Sequence, residues 1–82
     1  MVKVSFNEDF EKIITKIKDN SIKIKLKKQI EKIINFPEIG KPMRFDRRGT
    51  REVYIKPFRL SYIYFKENDE IVFLDLYHKD QQ

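Results

Sequence analysis

Apolar and polar residues alternate with period two over Val2-Lys3-Val4-Ser5-Phe6, which predicts an opening β-strand rather than a signal peptide. The period then changes. Phe10, Ile13, Ile14 and Ile17 recur at helical spacing, so an amphipathic helix is expected to about Lys18. Asn7 is placed to cap it, and Glu8, Asp9 and Glu11 fall in the first turn, where carboxylates offset the positive end of the helix dipole. Asp19-Asn20 interrupts the pattern, and Ser21 is the expected cap of a second helix. That helix carries Ile22, Leu26, Ile30, Ile33 and Ile34 as a stripe, with Lys23, Lys25, Lys27, Lys28 and Lys32 mostly off it. The break between the helices is short, which predicts an antiparallel helical hairpin.

Pro37 ends the second helix, and Gly40 and Pro42 mark a loop. Beyond it the pattern is β-rich. Met43-Arg44-Phe45 reads as a short strand and Asp46 to Gly49 as a turn. Arg51 to Lys56 alternates, Pro57 marks a turn or bulge, and Phe58 to Lys66 is a long β run. Glu67-Asn68-Asp69-Glu70 reads as a hairpin turn, Ile71 to Tyr77 as the last strand, and His78 to Gln82 as a short tail. Helices followed by strands predict an α+β fold: an N-terminal strand, then a two-helix antiparallel hairpin packed on a mostly antiparallel sheet of four to five strands. The chain is expected to be a single domain over residues 1–82, with no repeat or linker. Strand parity sets Arg59, Ser61, Ile63 and Phe65 against Phe58, Leu60, Tyr62 and Tyr64. On the last strand, Ile71, Phe73, Asp75 and Tyr77 are expected to face away from the helices, with Val72, Leu74 and Leu76 toward them.

With 82 residues and no cysteine, the chain is near the lower size limit for a domain without staples, and disulfides and thiolate metal sites are excluded. Apolar runs fall far short of the roughly 20 residues that span a bilayer, so a cytoplasmic protein without membrane attachment is expected. The net charge of +5 is unevenly placed. Residues 1–40 carry nine lysines for a net +3, residues 41–66 carry +6, and residues 67–82 carry −4. All five arginines lie between positions 44 and 59. Arginine offers a planar fork of donors suited to phosphate and stacks on bases, whereas lysine is a hydrated point charge. The pattern predicts a lysine-coated helical face for solubility and an arginine-rich sheet region for recognition.

One histidine and two glycines exclude an ordinary structural zinc site and a glycine-rich phosphate loop. The basic stretch also supplies few of the converging carboxylates that a magnesium-dependent nuclease uses, and no cofactor is expected. RNA can be cleaved without metal when its 2′-hydroxyl attacks the adjacent phosphorus and cations stabilise the phosphorane. Arg51, Arg59 and Lys56 are candidates for that clamp; His78, Lys79, Tyr77 or Tyr62 are candidates for moving protons. Tyr54, Phe58 and Tyr77 can stack bases, and Arg44, Arg47 and Arg48 extend the RNA-binding set. Plainer roles compete with these. Tyr62 and Tyr64 fit core or rim positions, Arg51 and Glu52 fit a surface salt bridge, and a lone histidine at a strand end is often surface. The helix stripes read as core, leaving Ile24 and Phe65 as candidates for a partner groove.

Arg51-Glu52, Phe58-Arg59, Tyr62 and His78-Lys79-Asp80, in this order and spacing, resemble the RelE/ParE toxin superfamily, and the likeness extends over nearly the whole chain. The resemblance implies a RelE-like toxin of a type II toxin-antitoxin system, a ribosome-dependent endoribonuclease that cuts messenger RNA and arrests translation. It also implies a cognate RelB-like antitoxin that wraps the toxin, with operator DNA bound only through that complex. Carried over, Arg59 matches the arginine that contacts the scissile phosphate, Arg51 or Lys56 the neighbouring basic position, and Lys79 the place where many members have a second catalytic arginine. Lysine there loses the bidentate geometry. The C-terminal tyrosine used as a base by some members has no counterpart after Asp80, so either that role falls to His78 or Tyr77 or the protein is catalytically weak. The Arg51-Glu52 opening and His78-Lys79-Asp80 also occur in ParE-like members, which instead poison DNA gyrase, and fold alone does not separate the two. A non-catalytic RNA- or ribosome-binding module is the third reading.

Overall fold

The computed structural model describes residues 2–43 and 49–78. Its elements run β1 (Lys3–Phe6), α1 (Glu8–Lys16), α2 (Asn20–Asn35), β2 (Lys41–Pro42), β3 (Thr50–Ile55), β4 (Phe58–Phe65) and β5 (Glu70–His78). They form a five-stranded sheet ordered β1-β5-β4-β3-β2, in which only the β1–β5 pairing is parallel. This is the α+β arrangement expected from the sequence.

The helix ends follow from their caps. Asn7 accepts from Asp9 N at 2.7 Å, which starts α1. Asp19, rather than Ser21, caps α2: its Oδ1 accepts from Ser21 N at 2.8 Å and Ile22 N at 3.4 Å. These bonds hold the Asp19 carboxyl below its ordinary value, the Ser21 hydroxyl contributing most. The α2 helix ends at Asn35, just before Phe36 and Pro37.

Phe10 of α1 and Leu26 and Ile33 of α2 are buried with Ile55, Leu60, Tyr62, Ile71, Phe73 and Leu76 of the sheet, so both helices cover one sheet face. Phe73 stacks on Phe6 and Phe10 at 5.4 and 5.8 Å between ring centroids. The expectation that Ile71 and Phe73 face away from the helices is therefore corrected. A β-bulge explains it: Ser61 pairs with Asp75 but Tyr62 pairs with Phe73, leaving Leu74 as an extra residue. The bulge inverts parity along β5, so Ile71, Phe73 and Leu76 point to the core while Asp75 and Tyr77 point away, as expected for those two. The β4 parity runs unbroken, with Leu60 and Tyr62 inward.

A short strand forms at Lys41–Pro42, which pair with Glu52 and Arg51, whereas the strand expected at Met43-Arg44-Phe45 falls largely outside the described residues. Arg44 and Phe45 lie outside the described residues.

Candidate functional site on the open sheet face

The sheet face turned away from the helices carries a short polar row. Lys56-Pro57 forms a two-residue connection between β3 and β4, and this fixes the register: Ile55 meets Phe58, Tyr54 meets Arg59, and Glu52 meets Ser61. Across the next strand pair Arg59 meets Tyr77. Tyr54, Arg59 and Tyr77 thus stand side by side on three neighbouring strands, the cation between two aromatic rings. Lys41, opposite Glu52, extends the face, and Lys56 is exposed at the β3–β4 turn.

Glu52 lies at the centre of this group, with its side chain only 5% exposed. Its Oε1 is 3.5 Å from Nη1 of Arg59, and its Oε2 accepts a hydrogen bond from the Tyr77 hydroxyl. A buried carboxylate is tolerable only when paired and hydrogen-bonded, and here two adjacent strands provide both. Arg59 keeps 38% of its side chain exposed, with Nη1 facing Glu52. Its Nε is buried without a hydrogen-bond partner among the described residues. Tyr54 is 49% exposed and free to offer a ring face.

Arg51 belongs elsewhere. It shares parity with Val53 and Ile55, on the helix-covered face, opposite Tyr62 and Pro42. Its Nη1 donates to the carbonyls of Glu38 and Gly40 at 3.0 and 2.8 Å, and its Nη2 lies 3.8 Å from the Glu38 carboxylate. Tyr62 completes this anchor, donating to Pro37 O and accepting from Gly40 N, both at 2.8 Å. Burial is the main cause that raises the Tyr62 phenol above its ordinary value. A single clamp of Arg51 with Arg59 is therefore not formed: strand alternation sends the two guanidinium groups to opposite faces. Tyr62 is core, which removes it from the proton-moving candidates.

His78 pairs with Phe58 in register, and their rings meet edge to face at 5.9 Å. By parity both lie on the helix side, at the end of the sheet, rather than beside Arg59. Tyr64 donates to Asp69 at 3.0 Å, and this bond is the main cause that holds its phenol above the ordinary value. Arg44, Arg47, Arg48 and Lys79, named as site candidates from sequence, lie outside the described residues. Sequence reading treated Glu52 as a surface partner of Arg51. The signal that places it is the two-residue connection at Lys56-Pro57, because counting back from that turn puts Glu52 on the side of Arg59. Among the described residues no three His, Cys, Asp or Glu side chains converge to hold a metal ion, and no helix is long and apolar enough to cross a membrane.

Several large apolar side chains outside this row are also exposed. Ile24 and Phe65, expected as partner candidates, are 56% and 44% exposed, and Phe36 and Ile39, which the sequence reading did not single out, are 64% and 42% exposed.

Known proteins now bear on the fold and its lineage. The RelE toxin–antitoxin complex of Escherichia coli, RelBE, contains a chain that superposes with a TM-score of 0.79 at 16% identity, over 95% of this chain and 96% of that one. The RelBE2 toxin–antitoxin complex of Mycobacterium tuberculosis gives 0.80 at 22% identity, over 95% and 98%. A metal-bound toxin from Helicobacter pylori gives 0.73 at 16% identity, over 99% and 98%. At these identities the likeness concerns the fold. No curated protein sequence is a significant match. The family model for the ParE toxin of type II toxin-antitoxin systems, parDE, matches residues 1–82, so the chain belongs to that family and is a toxin of the RelE/ParE superfamily.

Proposed function

We propose that this toxin is a metal-independent endoribonuclease that cleaves messenger RNA on the ribosome and arrests translation in the cytoplasm. The observation that carries the reading is the Tyr54–Arg59–Tyr77 row, a cation between two aromatic rings on an open sheet face. Single-stranded RNA needs both elements: rings to stack bases, at about 1–3 kcal/mol each, and a guanidinium for the phosphate. In the reaction the 2′-oxygen bonds to phosphorus and loses its proton, the 5′-oxygen leaves and gains one, and a 2′,3′-cyclic phosphate remains. Arg59 stabilises the charge gathering on the non-bridging oxygens. Lys41 and Lys56 add positive field, and Tyr77, on the same face, is the candidate to move a proton. His78, at the end of the last strand, and Lys79 are the alternatives.

A RelB-like antitoxin is the proposed partner. Ile24, Phe36, Ile39 and Phe65 offer exposed apolar area to it, and the net charge of +5 favours an acidic segment. Operator DNA is then bound only through the complex.

Arg59→Ala tests the reading. Induced in cells, the natural chain is expected to cut a translated message and spare its untranslated version in primer extension. Arg59→Ala is expected to lose at least about a hundredfold of that cleavage, the scale for removing one transition-state donor, and Arg59→Lys, which keeps a cation beside Glu52, separates that loss from a loss of folding. Intact messages with growth arrest and DNA damage would instead support a ParE-like gyrase inhibitor. Two observations favour that second reading: the ParE family match and the carboxylate already facing Arg59. Intact messages with no arrest would point to a non-catalytic RNA- or ribosome-binding module.

A further inference from the structure

We infer that Glu52 is a positioning residue that orients Arg59 toward phosphate while competing with phosphate for the same guanidinium. The inference rests on phosphate contact at Arg59, as in the function proposed above. Glu52 sits in the middle of β3, and its side chain is all but removed from solvent. Nothing in the strand's packing needs an acid there, since the neighbouring inward positions are filled by Val53 and Ile55 and the facing residue on β4 is the small Ser61. What the acid does is hold two groups at once. Oε1 faces Nη1 of Arg59 from the same strand pair, and Oε2 takes the hydroxyl proton bond of Tyr77, which reaches across β4 from β5.

Two consequences follow from that geometry. Arg59 is a flexible side chain, and a carboxylate facing Nη1, with Nε buried, limits the orientations of its fork and leaves only the exposed part of the side chain to meet an anion. The same negative charge, on a side chain only 5% exposed, subtracts from the attraction that Arg59 exerts on an arriving anion. Glu52 therefore gives up ground-state affinity in exchange for orientation. Tyr77 moderates the exchange, because its hydroxyl draws part of the carboxylate's charge away from Arg59.

Glu52→Gln removes the charge and keeps the size and an acceptor oxygen for Tyr77. With inorganic phosphate as the probe, followed through the Arg59 Nε–Hε nuclear magnetic resonance signal, Glu52→Gln is expected to bind severalfold more tightly than the natural chain. In the same variant that signal should broaden or shift as the guanidinium loses its fixed edge. Binding of a short oligouridylate should tighten as well, with a salt slope steeper by about one. In an Arg59→Ala background, which lacks that signal, Glu52→Gln should leave the oligouridylate affinity unchanged. A merely structural role for Glu52 would loosen the fold without tightening anion binding. Folded Glu52→Gln with unchanged or weaker phosphate affinity overturns the inference. Should that variant not fold, Tyr77→Phe decides the matter. It leaves the carboxylate undiluted beside Arg59 and is expected to weaken phosphate binding, whereas unchanged or tighter binding overturns the inference. The phosphate titration needs no RNA cleavage. Tightening without message cutting would therefore sink the endoribonuclease reading alone, and cutting without tightening would sink only the role of Glu52.

Discussion

Arg51 and Arg59 stand eight positions apart and make opposite use of the same side chain. Arg59 faces solvent and a carboxylate on the open sheet. Arg51 ties the connection after α2 to the sheet by two carbonyl bonds, beside Tyr62, which ties it by two more. Gly40 is the residue around which this anchor closes: a Cβ there would lie 2.6 Å from the Tyr62 hydroxyl and 3.0 Å from Cβ of Arg51. Arg51→Ala leaves two carbonyls without their cationic donor, and hydrogen bonds from charged groups contribute about 1.5–3 kcal/mol. The expected result is a loss of that order in urea unfolding, with the slope unchanged and the Arg59 signal unmoved. The inward position of Arg51 was legible, because it shares parity with the apolar Val53 and Ile55. Its cationic chemistry drew the reading toward phosphate instead. Its true partners, backbone carbonyls on a loop, leave no mark in a sequence.

At the scale of elements, the strands and helices were legible because each carries its own period, and Asn7 marked the start of α1. Two features escaped. One is the Leu74 bulge, which has no glycine or proline to announce it and which inverts half of β5. Its cause is tertiary: Phe73 must reach Phe6 and Phe10 while Tyr77 must reach Glu52, and no single parity satisfies both. The other is the α2 cap, because Asp19 and Ser21 are both good capping residues two positions apart. Asp19 wins by accepting from two backbone donors and the Ser21 hydroxyl. A carboxyl held below its ordinary 3.8 stabilises the fold fully above that pH and loses the contribution as pH falls through the lowered value. Asp19→Asn keeps an acceptor but has no titration. The thermal midpoints of the two proteins are therefore expected to differ at neutral pH and to converge as pH falls through the lowered Asp19 value, in melts recorded at successive pH values. Curves that stay parallel would assign the cap's contribution to geometry rather than charge.

For the molecule as a whole, one aromatic joins more elements than any cap or ion pair described above. Phe73 is fully buried on β5 and meets Phe6 at the end of β1, Phe10 on α1 and Tyr62 on β4. Removing it separates the parallel edge strand from the helix layer in one step. A Phe→Ala change at a fully buried position costs about 3–5 kcal/mol. A domain of this length is held together by about 4–12 kcal/mol, at roughly 0.05–0.15 kcal/mol per residue. Phe73→Ala is thus expected to remove from about a quarter to all of that margin, seen as an earlier thermal transition in isolation. A partner that binds only the folded toxin adds about 2.7 kcal/mol when present at a hundred times its dissociation constant, enough to recover most of the loss. The antitoxin proposed above is such a partner. Purified with it, Phe73→Ala should melt cooperatively at a midpoint that rises with antitoxin concentration, whereas the unaltered toxin should melt cooperatively alone. A variant that stays equally unfolded with and without antitoxin would mean that the partner holds a surface which forms independently of this core.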